Sequence, residues 1–166
     1  MGNFEIFGLQ MALSFAVYIL IARWYVAPWL AKKPLQEALI PLLVLHALRH
    51  LGMTILVPTV TSPDLPRAWA TQLAYGDLVA GLLALASMLA LQARWSFAVA
   101  LVWIFNVEGT LDLLSALYGG LRVDAPNLPA GSFWYVPTFV VPALLVTHAM
   151  MFSMLLKHRR VGRAAR

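Results

Sequence analysis

Five stretches of this chain are each about twenty residues long and nearly free of charge, the length an α-helix needs to cross a bilayer core of about 30 Å. They are Phe4–Arg23, Leu35–Val57, Thr71–Gln92, Trp95–Tyr118 and Phe133–Leu156. The breaks between them carry turn residues or charge: Pro28 with Lys32, Lys33 and Pro34; Pro58 to Pro66; Arg94; and Gly119–Gly131 with Pro126 and Pro129. Backbone groups in hydrocarbon must be satisfied within their own segment, so runs of this kind are helical. The pattern predicts an all-α integral membrane protein: one five-helix bundle over residues 1–166, ending in a basic tail at 157–166. Composition agrees, with 61% hydrophobic and 11% charged residues against about 25% charged in soluble domains. The first span lacks a basic leader and a small-residue cleavage site, so it is expected to remain a span.

Lysine and arginine set the direction. Arg23, Lys32, Lys33, Arg94 and the tail residues Lys157, Arg159, Arg160, Arg163 and Arg166 fall on one side, and only Arg67 and Arg122 fall on the other. The positive-inside rule then places the N-terminus outside and the C-terminus in the cytoplasm, as an odd helix count requires. Trp24, Trp29, Trp69, Trp95 and Trp134 fall near segment ends, like an aromatic belt. Beside a span, the basic tail reads as a topology and lipid-headgroup signal, and no nucleic-acid partner is expected. With no cysteine, thiolate metal sites, disulfides and iron–sulfur clusters are excluded.

Six ionisable residues interrupt these apolar runs: His46, Arg49, His50, Asp77, Glu108 and Asp112. Charge at membrane depth costs a few kcal/mol per group, so such residues usually face one another. His46 and His50 are i,i+4 on one helix, Glu108 and Asp112 are i,i+4 on another, and Asp77 lies between them. At 1.5 Å of rise per residue, His50, Asp77 and Asp112 sit roughly 10 Å from their helix ends, and His46 and Glu108 roughly 16 Å. His148 is expected lower than both layers. Gly76, Ala80, Gly81 and Ala84 give the third helix a small-residue face for close packing. Pro137 and Pro142 are expected to kink the fifth helix.

Four readings follow from that cluster. His46, His50 and Glu108, with Asp77 and Asp112, could ligate a divalent metal such as zinc, iron or manganese, although Arg49 is an awkward neighbour for a cation. The metal could activate water or oxygen against a lipophilic substrate. Alternatively Asp77, Glu108 and Asp112 hold protons coupled to a small solute, with Arg49 modulating them. A carrier with five helices would favour a homodimer or a partner membrane subunit. Third, His46 and His148 could ligate a b-type haem from different helices. Last, the network could simply fix helix register, as in a structural or accessory subunit.

The stretches AYGDLVAGLLAL (Ala74–Leu85) and WIFNVEGTLDLLSALYGG (Trp103–Gly120) resemble small bacterial multi-spanning membrane proteins of uncharacterised function. The likeness lies in a Gly-Asp pair opening one helix and an Asn-x-x-Gly-x-Leu-Asp-Leu run in the next. It covers the middle third of the chain and implies a multi-pass protein of the bacterial inner membrane in which Asp77, Asn106 and Asp112 recur together. It carries no activity. The expectation is a polar cavity open toward the outer face, lined by His46, Arg49, His50, Asp77, Glu108 and Asp112 with Asn106 nearby, that binds a cation. Arg49 and Asn106 would support the ligands, Arg49 doubling as an anion clamp.

Overall fold

A computed structural model describes residues 1–62 and 64–164, with side chains through Arg160. Arg166, counted above among the tail charges, lies outside the described residues, as does the side chain of Arg163. All regular structure among the described residues is helical. Five helices are long and apolar enough to cross a bilayer: α1 (Asn3–Leu30), α2 (Leu35–Leu56), α3 (Arg67–Gln92), α4 (Ala98–Arg122) and α5 (Gly131–Arg160).

The ends differ from the expected ones for local reasons. Pro28 does not stop α1. A π-helical turn over Ala22–Val26 restarts the helix at Ala27, leaving Pro28 in a first turn where its missing N–H is not needed. The tail from Lys157 prolongs α5. At Pro137, where a kink was expected, α5 runs through a second π-helical turn over Val136–Val140. There the Thr138 hydroxyl donates to the Trp134 carbonyl at 2.8 Å.

α3 is the centre of the bundle. Ala70, Ala74, Asp77, Ala80, Gly81, Ala84 and Ser87 recur every three or four residues along its length and are buried. Such small side chains let α2 and α4 approach its backbone closely, and close packing is what holds helices together in lipid. At the end bearing the basic loops, Leu39, Leu43, Ala84, Phe105, Met151 and Leu155 form one apolar core. At the opposite end Ile55, Leu65, Leu73 and Phe133 form another. The polar residues lie between the two.

The outer surfaces of the bundle are apolar, as lipid contact demands: Leu82, Leu89, Ile104, Leu111 and Phe139 are all exposed. α1 stands apart, with no buried residue in its first nineteen. It is held along α5 by edge-to-face pairs, Phe7 with Trp134 and Tyr18 with Phe139. A hydrogen bond from Trp134 Nε1 to Gln10 Oε1 at 2.7 Å completes the seam.

Ala84→Leu should therefore overpack the α3 seam and lower unfolding stability in detergent by about 1–3 kcal/mol. Leu82→Ala, on the lipid face, should change it far less under the same denaturant titration.

Candidate functional site

The site begins with a change of helix type. α2 is α-helical over Leu35–Ala47 and continues as a 3₁₀-helix over Leu48–Leu56. A 3₁₀-helix has three residues per turn, so residues three apart eclipse. Arg49, Gly52 and Ile55 accordingly share one buried face, with buried His46 one step before them. Runs of this length are uncommon and often mark functional positions.

Arg49 is the hub. Its side chain is 1% exposed. Nε and Nη2 both reach Asp77 Oδ1, at 2.8 and 2.7 Å, and Nη2 also donates to Asp112 Oδ2. Nη1 donates to the Gly109 carbonyl at 3.1 Å. One guanidinium thus ties α2 to α3 and α4. Glycines make room for it: a Cβ on Gly52 would overlap Asp77 Oδ2, and one on Gly76 would overlap Asp112 Oδ1. No protein donor reaches Asp77 Oδ2 among the described residues, and Glu108 Oε2 is buried without a partner.

One turn away lies a pair of histidines. His46 and His148 are both essentially buried, with ring centroids 4.2 Å apart. Phe105 stacks on His148 and meets His46 edge-on. The Thr147 hydroxyl donates to the Ala143 and Leu144 carbonyls, so it accepts from His46 Nε2 at 2.9 Å. Asn106 brackets His148, its amide donating to the His148 carbonyl at 3.4 Å and its Oδ1 accepting from Nδ1 at 2.6 Å. Each ring is thereby fixed as the tautomer that leaves its other nitrogen bare. Those nitrogens, His46 Nδ1 and His148 Nε2, are buried with no partner. Gly109 separates the two layers: a Cβ there would stand 3.0 Å from Arg49 Nη1 and 3.1 Å from His148 Nε2.

Several expectations change. His50 does not face inward with His46. It is exposed, its Nδ1 donating to the Ala47 carbonyl at 3.0 Å, because i,i+4 residues do not share a face in a 3₁₀ turn. His148, expected one layer lower, has its ring centroid 4.2 Å from that of His46. Arg49, expected beside the acids, is what the acids bind. Glu108 stays near them but is not bonded to Arg49. Gly76 was expected as a close-packing position, whereas Thr147, Gly52 and Gly109 were not singled out. Buried residues at intervals of three from His46 to Ile55 were the available signal.

Two cofactor fits can be judged on this geometry. A haem between His46 and His148 does not fit, since rings 4.2 Å apart leave no room for a macrocycle between them. The metal set does not assemble either: among the described residues no three His, Asp or Glu side chains gather as a ligand group, and Arg49 occupies the space between Asp77 and Asp112.

An apolar cavity of about 190 Å³ lies beside the acids. It sits between α1, α3, α4, α5 and the segment around Pro126, and reaches Asp77.

Over residues 6–156 the chain matches the model of a family described as a domain of unknown function (DUF8737). The chain belongs to that family. No curated protein and no solved structure matches it.

Removing the hub should expose its role. Arg49→Met leaves two buried carboxylates without a counter-charge and should destabilise by about 3–5 kcal/mol. Adding Asp77→Asn and Asp112→Asn should recover much of that loss in the same unfolding assay. Gly52→Ala, which crowds only Asp77, should cost about 1–3 kcal/mol.

Proposed function

We propose that this member of the family takes up protons on the carboxyl cluster around Arg49 and couples them to the passage of a small solute through the bacterial inner membrane. The observation that carries this reading is a charge count at membrane depth. Asp77 and Asp112 bind the Arg49 guanidinium and Glu108 lies one helical turn from Asp112, so with every acid ionised these four residues would carry an excess of two negative charges. Excess charge in hydrocarbon is costly, and protons or a bound cation neutralise it. Protons suit the donor set better than a metal does. They need no convergent ligands, and Asp77 Oδ2 and Glu108 Oε2 lack protein donors. The histidine pair extends the path, because each neutral imidazole offers a bare nitrogen that can accept a proton.

The positive-inside rule supports an outside N-terminus and a cytoplasmic C-terminus. The cavity beside Asp77 would then open on the outer half of the bilayer. Five helices are few for a carrier, so it works as a homodimer or with a partner membrane subunit.

Three measurements test this. In nanodiscs, wild type should show a pH-dependent carboxylic-acid infrared band that shrinks in Glu108→Gln and Asp77→Asn, and should hold only substoichiometric metal. Stoichiometric zinc, iron or manganese lost on His46→Ala, or no titrating carboxyl band, would refute the proton reading. Because the chain has no cysteine, a single cysteine at Ser62 should react with an impermeant maleimide in intact cells. One at Ala31 should react only after permeabilisation.

A further inference from the structure

The cavity beside Asp77 has features that identify the kind of molecule it holds. Its walls are apolar and rich in rings, including Phe7, Trp69, Phe133 and Trp134, and Asp77 is its only charged lining residue among those described. The indole N–H groups are already engaged, Trp69 with the Ala116 carbonyl at 3.3 Å and Trp134 with Gln10. What they leave to a ligand is aromatic surface. Asp77 offers the one polar contact, and its Oδ2 has no protein donor because both Arg49 bonds end on Oδ1.

We infer that this cavity binds a small lipophilic ammonium ion: an apolar body of about one ring, carrying a protonated or quaternary nitrogen that meets Asp77. The inference rests on the cation-binding reading of the cluster and names the solute. Size follows from volume. A cavity of about 150 Å³ holds benzene, so about 190 Å³ holds a ring with a few further atoms. Charge follows from the acids. A hydrocarbon occupant would leave the Asp77 carboxylate against an apolar molecule, and an anion would meet the excess acid of the cluster. A cation satisfies that carboxylate and is attracted to aromatic faces as well. The route follows from packing. On one side the cavity is walled by Phe7 and Met11 of α1, the helix with no buried residue in its first nineteen. Displacing α1 from its seam with α5 opens the cavity to the bilayer, where a lipophilic ammonium accumulates.

The test is binding of benzyltrimethylammonium and of neopentylbenzene, its uncharged isostere, to protein in nanodiscs of zwitterionic lipid, read by tryptophan fluorescence. Wild type should prefer the ammonium by at least about tenfold. Asp77→Asn should abolish the preference, and Ala116→Phe, which fills the cavity without touching the ion pair, should weaken both ligands. If Asp77→Asn does not fold, the isostere comparison and Ala116→Phe still decide. Equal affinity for the two probes would overturn the inference in favour of a lipid-chain pocket. Ammonium binding unaffected by either variant would overturn it by placing the ligand elsewhere. The infrared band and metal content are read separately. A titrating carboxyl cluster with no ammonium preference would refute this solute and leave proton uptake standing, whereas ammonium preference without a titrating carboxyl would do the reverse.

Discussion

An arginine placed in hydrocarbon keeps its charge, because a guanidinium does not deprotonate in proteins. The bundle must therefore bring acids to it, and Arg49 receives one from α3 and one from α4. That requirement governs the helix packing around it. The carboxylates fit only where Gly52 and Gly76 carry no side chain, and Nη1 reaches backbone only because Gly109 leaves its carbonyl within range. The 3₁₀ segment of α2 belongs to the same solution, since it stacks Arg49 over Gly52 on a single face. A buried ion pair is weak evidence of net stability. What it gives here is mutual dependence: none of α2, α3 and α4 can shift without stranding a charge.

The location of that network gives it functional interest. It lies between two apolar cores, one built on Leu39, Leu43 and Phe105 and the other on Ile55, Leu73 and Phe133. Water is thus limited on both sides, and electrostatic interactions in such surroundings are strong. Most members of buried polar networks find partners. This one leaves Glu108 Oε2, His46 Nδ1 and His148 Nε2 unpartnered. Unpaired buried polar atoms call for an explanation, and the proton uptake proposed above would supply one.

Much of this was legible in the chain. Apolar runs of bilayer length mark the five helices, and the small residues from Gly76 to Ala84 mark the seam of α3. Asp77, Asp112 and Arg49 announce themselves as charges with nowhere else to go, and they do meet. Asn106, flagged on its proximity, holds His148 in place. What misled was the assumption of uniform α-helical geometry. It turned His50 inward, because that inference counts residues at 3.6 per turn.

By itself, then, the sequence determined how many helices there are and which residues must avoid lipid, since both follow from the free energy of moving side chains between water and hydrocarbon, a property of composition along the chain. Which of those residues touch was decided only by tertiary structure. Three helical departures, a 3₁₀ segment in α2 and π turns in α1 and α5, changed rise and facing in ways that no periodicity count carries. The bare imidazole nitrogens depend on hydrogen bonds that the rings donate to Thr147 and Asn106, over a hundred positions away in one case and more than forty in the other. Contacts of that separation exist only once packing has set the distances between helices.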